Sequence, residues 1–202
     1  MRAHEIVEGP NDPYTYKAIF FAGSPGAGKT YVARKLAGAF GGLKQVNMDI
    51  IFKHLMTKNN LSWKMPPEEE PEREKQRQRS KELVTRQQQT YADGGLGLLI
   101  DSTGRSYDKI ENTKDQLESQ GYKTTMIFVN TDLQTALRRN KQRERTLPDE
   151  LIRKNFSAVE QQLGRFQRLF NDIHIINNSD STQETLPGQI EQVQKDISKF
   201  LQ

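Results

Sequence analysis

The chain has no cysteine. Disulfides, thiolate metal sites and cysteine nucleophiles are therefore excluded. Its three histidines, His4, His54 and His174, are scattered singly and offer no metal-ligand spacing. No stretch approaches the roughly 20 apolar residues of a membrane span. Residues 1–8 lack the apolar core of a signal peptide. Together these absences predict a cytosolic protein.

What remains is polar and charged. The length of 202 residues suits one domain, with 34% hydrophobic and 28% charged residues. Thirty basic residues against 26 acidic ones leave a net charge of +4, which permits a polyanionic ligand without requiring one. The distribution is uneven: residues 138–145 hold five basic residues against one acidic.

Residues 23–30 read Gly-Ser-Pro-Gly-Ala-Gly-Lys-Thr. This is the pattern G-x-x-x-x-G-K-S/T, the phosphate-binding P-loop. Gly23, Gly26 and Gly28 lack a Cβ, so the backbone can bend tightly and approach an anion. Ser24, Pro25 and Ala27 complete the turn, whose N–H groups cradle phosphate oxygens. Lys29 supplies a point charge for the β- and γ-phosphates, and Thr30 a hydroxyl for Mg²⁺. A helix N-terminus after the loop adds positive potential. The flanks agree: residues 17–22 are a short apolar run, and residues 30–40 place Val32, Ala33, Leu36, Ala37 and Phe40 at helical spacing.

The rest of the chain alternates. Residues 1–16 read as an irregular arm, punctuated by Gly9-Pro10 and Asp12-Pro13. Further strands are expected over 43–47, 96–100, 123–129 and 173–176. Helices are expected from about Asp49, over 72–92 and 106–120, after Asp132, after Pro148, and over 189–201. Pro66, Pro67 and Pro71 make 61–71 a loop. The 72–92 helix has few apolar anchors and could be mobile or serve as a substrate wall. Alternating strands and helices predict an α/β fold, a five-stranded parallel sheet sandwiched between helices, within one domain over 17–202. Ligands then sit beyond the carboxyl ends of the strands. The P-loop, Asn47-Met48-Asp49, Asp101-Ser102-Thr103 and Asn130 all fall at such ends.

Each end has a chemical reading beside a plain one. Asp101 closes an apolar run and could hold Mg²⁺ with Thr30, or merely cap a turn. Asp49 could accept the proton of an attacking hydroxyl, or N-cap the following helix. Arg139 and Arg143 are four apart and share a helix face. They could close as a lid, about 138–148, over a triphosphate, or form a solvated basic helix end that suits the helix dipole.

These segments together resemble the small P-loop kinases that include phage-type polynucleotide kinases and zeta-toxin-like kinases. The likeness covers about residues 17–177. Val46-Asn47-Met48-Asp49 resembles the Asn-x-Asp segment whose aspartate is the general base. Asp101-Ser102-Thr103 looks like the Asp-x-Thr segment, and Arg139 to Arg143 like the Arg-Asn-x-x-Arg lid. Residues 123–130 are also similar to zeta-toxin-like proteins of tailed phages, which would place this chain in a host cytoplasm. One departure stands out: after Asp49, where polynucleotide kinases carry a phosphate-gripping arginine, the chain has Lys53, which cannot fork around a phosphate.

The resemblance implies an ATP- and Mg²⁺-dependent phosphotransferase, with Lys29, Asp49, Arg139 and Arg143 in the reaction. The acceptor would be a hydroxyl of a nucleic acid, nucleotide or nucleotide sugar. Two alternatives stay open: a nucleotide-binding switch without an acceptor, and a zeta-type toxin kinase.

Overall fold

A computed structural model of the chain describes residues 14–142 and 146–202. Five parallel strands form one sheet: β1 (Lys17–Gly23), β2 (Lys44–Val46), β3 (Leu98–Asp101), β4 (Lys123–Asn130) and β5 (Ile173–Asn177). Their spatial order is β2-β3-β1-β4-β5, so the first strand lies at the centre. Among the described residues seven α-helices join and cover them: α1 (Lys29–Lys35), α2 (Met48–Lys58), α3 (Glu70–Asp93), α4 (Tyr107–Ser119), α5 (Leu133–Lys141), α6 (Asp149–Leu169) and α7 (Leu186–Leu201). The α/β fold is the one expected, with helices on both faces.

The period-two geometry of strands divides the apolar runs between two cores. Ala18, Phe20, Leu98, Met126 and Phe128 face one side, where they meet Leu117 of α4 and Val159 and Phe166 of α6. Ile19, Phe21, Leu99, Ile127 and Ile176 face the other, against Val32 of α1 and Ile190, Val193 and Ile197 of α7. A small third cluster joins Ala136 and Leu137 of α5 to Ile152 of α6.

Some boundaries differ from the expectation. Helix α1 stops at Lys35 instead of running to Phe40. From Leu36 the chain turns more tightly, with Ala39 N donating to Leu36 O at 2.9 Å, as it approaches Gly41-Gly42. Helix α3 starts before the expected position, at Glu70, with Pro71 in its first turn, where a missing N–H costs nothing. Its buried side includes polar Arg73, Gln76 and Ser80 beside Val84 and Ala92. Arg73 pairs with Glu70 and donates to Pro66 O at 3.0 Å, fixing the loop that precedes the helix.

Residues 14–16 dock beneath the sheet. Tyr16 N donates to Gly95 O at 2.8 Å, and its ring meets Tyr122 edge-on at 5.3 Å. Tyr122 is 4% exposed and donates its hydroxyl to Leu96 O at 2.8 Å. Burial pushes its pKa up to about 12. The native state therefore holds this proton more tightly than the unfolded chain, whose tyrosines titrate near pH ~10. The associated stability is complete below that pH and is lost as pH rises toward about 12. Tyr122→Phe should lower stability by about 1–2 kcal/mol at neutral pH, since Leu96 O loses a buried donor. Urea titrations at neutral and alkaline pH should show a shallower alkaline loss for the variant than for the wild type.

Candidate active site

The central position of β1 decides where the loop lies. β3 and β4 pair on its two sides, with Phe21 opposite Asp101 and Gly23 opposite Val129. The segments leaving these strands therefore meet at one edge. There the order of strands reverses, which is where open α/β sheets bind ligands.

Residues 23–30 turn between β1 and α1. Gly26 and Gly28 have φ of +84° and +81°, a region closed to most side chains. Gly23 is a glycine for another reason: a Cβ there would run into Val129 O. Ala27 N donates to Ser24 O at 3.1 Å and tightens the turn. Helix α1 is only seven residues long, so the helix contribution expected for anion binding is small beside that of the loop amides.

Lys29 is held, not free. Its Nζ donates to Ser102 O at 2.6 Å and stands 3.3 Å from Asp101 Oδ1. That second distance is an ion pair without hydrogen-bond geometry, for Asp101 Oδ1 is buried with no hydrogen-bond partner. Burial pushes the Asp101 carboxyl above its ordinary range, Lys29 opposes the shift, and the charge of Asp49 adds to it. A cation arriving here would relieve that cost.

Asn47 joins the two acidic positions. Its Oδ1 accepts from the amides of Asp49 at 2.8 Å and Ile50 at 3.3 Å, capping α2. Its Nδ2 donates to Asp101 Oδ2 at 2.7 Å. Of the two sequence readings of Asp49, the capping one is thus taken by Asn47. The Asp49 carboxylate sits exposed in the first turn of α2.

Arg139 differs from the expected lid arginine. It lies in the last turn of α5, which ends at Lys141. Its Nη1 donates to Gly26 O at 3.3 Å and Asn178 O at 2.8 Å, and its Nη2 to Asn178 Oδ1 at 3.3 Å. The guanidinium grips carbonyls of the loop and of the segment after β5. Arg138 points elsewhere, donating to both Asp180 oxygens at 2.8 and 2.6 Å. Arg143 lies outside the described residues, as does the middle of the expected lid.

Among the described residues, six buried side-chain polar atoms lack a hydrogen-bond partner, and four are at this edge: Ser24 Oγ, Asp101 Oδ1, Ser102 Oγ and Asn130 Oδ1. Buried polar groups are normally paired, so such a concentration marks a place that waits for a ligand. The oxygens of Asp101, Ser102 and Thr30 are the hard donors that Mg²⁺ takes. Among the described residues no three acidic or histidine side chains form a complete cage. Mg²⁺ suits such a partial set, because it keeps water and phosphate oxygens as its other ligands. The residues thus fit the ion.

Sequence reasoning placed the P-loop, Asp49, Asp101 and Asn130 at strand ends. It missed Asn178 and the bridging part of Asn47. Asn178 directly follows the last residue of β5, Asn177, and the strand-end rule could have found it.

The sequence match to the zeta toxin family spans residues 5–185. The chain belongs to the zeta toxin family. No curated protein matches it in sequence. Solved structures resemble it in fold. A putative kinase from Chloroflexus aurantiacus superposes with a TM-score of 0.59 at 14% identity, over 90% of this chain and 98% of that one. A structure of the PezAT chromosomal toxin–antitoxin system of Streptococcus pneumoniae gives 0.55 at 17%, over 93% and 87%. The AvrRxo1-ORF1:-ORF2 complex with ATP gives 0.62 at 18%, over 81% of this chain and 55% of that one. By family and fold this zeta toxin homologue is a P-loop kinase.

Asn47→Ala should cost about 0.5–2 kcal/mol in chemical denaturation, the usual loss for a helix cap. Asn47→Asp keeps a cap oxygen but sets a second carboxylate against Asp101. The Asp101 titration midpoint should then move up, as followed by NMR of the carboxyl carbons.

Proposed function

We propose that this chain transfers the γ-phosphate of ATP, with Mg²⁺, to a hydroxyl of a nucleic acid, nucleotide or nucleotide sugar. The observation that carries the reading is the gathering of buried oxygens without hydrogen-bond partners at the strand ends beside the phosphate loop, with Lys29 held there by Asp101 and Ser102. The family match supports the donor, as does the ATP in the AvrRxo1-ORF1:-ORF2 complex. Neither speaks to the acceptor.

In this reading residues 23–30 hold the triphosphate. Lys29 leaves Asp101 for the β- and γ-phosphate oxygens. Thr30 and Asp101 would hold Mg²⁺, which would supply charge neutralisation on the phosphates. Asp49 accepts the proton of the acceptor hydroxyl. The hydroxyl oxygen bonds to the γ-phosphorus as the bond to the β–γ bridging oxygen breaks, and ADP leaves with that electron pair. Arg139 supports the loop it grips, while Arg143 is assigned to charge neutralisation on the sequence pattern alone.

The freedom of the Asp49 carboxylate favours a kinase over a nucleotide switch, because a switch needs no base there. Incubation with γ-labelled ATP and Mg²⁺ against oligonucleotides, nucleosides, nucleotides and nucleotide sugars tests the reading. Label on one acceptor class is the expected result. Hydrolysis with no labelled acceptor would replace the kinase reading with the switch.

Lys29→Ala should abolish transfer in a folded protein. Asp49→Asn should lower transfer by about 10²–10⁴-fold, the usual worth of a positioned base, with ATP affinity preserved. If no acceptor is labelled and Asp49→Asn leaves ATP hydrolysis untouched, the switch reading replaces the kinase. Asp101→Asn keeps shape but loses charge. A Mg²⁺ titration of the rate should show its half-saturation moved to higher metal concentration, while thermal melting changes little.

A further inference from the structure

Asn178 is 3% exposed, and its side chain bonds to the phosphate loop, to Arg139 and to Gln183. Its Nδ2 donates to Ala27 O at 2.8 Å. Its Oδ1 accepts from Arg139 Nη2 at 3.3 Å and from Gln183 Nε2 at 3.1 Å. Its backbone is tied as well: N donates to Asn130 O at 2.8 Å, and O accepts from Arg139 Nη1 at 2.8 Å and Thr131 Oγ1 at 3.1 Å. Only one orientation of the amide suits this set, because the nitrogen faces a carbonyl and the oxygen faces two donors. The fit is also steric, since a Cβ on Gly28 would collide with Asn178 Nδ2.

We propose that Asn178, braced by Arg139, is a positioning residue that holds the phosphate loop in its binding shape before any nucleotide arrives. The planar trans peptide transmits the constraint. Carbonyl and N–H of one peptide unit point in opposite directions. Asn178 fixes Ala27 O, and thereby turns Gly28 N–H away from itself. Arg139 Nη1 fixes Gly26 O, whose peptide partner Ala27 N is tied to Ser24 O. Two successive peptide planes at the crown of the loop are thus set from outside. Glycines at 26 and 28 make the loop mobile in principle, and the brace removes that freedom. A loop ordered in advance spares its ligand the ordering cost. Asp180, 3.6 Å from Arg139, balances the charge of the brace.

The proposal rests on the nucleotide reading for its consequence, though not for its geometry. The test uses the full chain. Asn178→Asp keeps size and the acceptors for Arg139 and Gln183, but turns the donor to Ala27 O into an acceptor. Asn178→Ala removes both halves. Amide hydrogen exchange of the nucleotide-free protein is followed over residues 24–30, and ATP binding by calorimetry. In both variants the loop amides should exchange faster by about tenfold or more, with β1 and β4 at wild-type rates. ATP affinity and KM for ATP should weaken by about tenfold, and KM for the acceptor should not move. A residue that is merely structural would speed exchange across the sheet instead. Loop exchange at the wild-type rate in a folded variant overturns the proposal. Should both Asn178 variants unfold, Arg139→Ala is measured by the same exchange, with the same two outcomes. Failure of the wild type to bind ATP would sink the nucleotide reading, while the exchange rates would still decide the brace.

Discussion

A half-buried ammonium group among strand ends needs an anion beside it. In this protein the ammonium is Lys29, and Asp101 with Ser102 O supplies the partner. Much of the site follows from that requirement. Asp101 must reach the lysine from the end of β3, so β3 must lie next to β1. Its carboxyl is held uncomfortably, raised by burial, and only one of its oxygens has a full hydrogen bond, from Asn47. Phosphate oxygens would offer Lys29 a better partner and would leave Asp101 free to meet a cation. A contact that satisfies a charge within the protein is then the same contact that a ligand displaces.

The oxygens of Ser24, Ser102 and Asn130 that lack a hydrogen-bond partner cost stability, because each is withdrawn from water without compensation, and Asp101 Oδ1 is compensated only by its ion pair with Lys29. The fold tolerates them through the two cores on either side of the sheet, where Phe20, Phe128 and Phe166 are almost wholly buried. Apolar packing and polar deficit are separated in space: the former fills the layers, and the latter collects at one end of the strands. Such local inconsistency within a consistent fold is what functional sites produce.

The strands were legible because central parallel strands are continuous apolar runs, as in residues 17–22 and 123–129. Placing those runs in one sheet already brought Lys29, Asp49 and Asp101 to a common edge. The losses have particular causes. The end of α1 depends on where a run of glycines lets the chain turn, which helical spacing at Leu36 and Phe40 does not record. The cap of α2 passed to Asn47 because its backbone is extended, with φ of −144°, whereas Asp49 is already within the helix. Arg139 and Asn178 are 39 positions apart, and their contact exists only once α5 and the end of β5 have packed. No local pattern encodes such a pair.

The central place of β1 also has a consequence for the order of assembly. The strand is among the first elements of the chain, yet both of its neighbours come from far downstream, at residues 98–101 and 123–130. Val129 O backs Gly23, and Asn178 reaches Ala27 across 151 positions. The loop therefore cannot take its shape as its own residues emerge during synthesis. It becomes competent only when almost the whole domain has been made and folded, and long-range parallel pairing of this kind is slow. A nascent or truncated chain would hold every letter of the phosphate-binding motif without the distant contacts that fix its geometry.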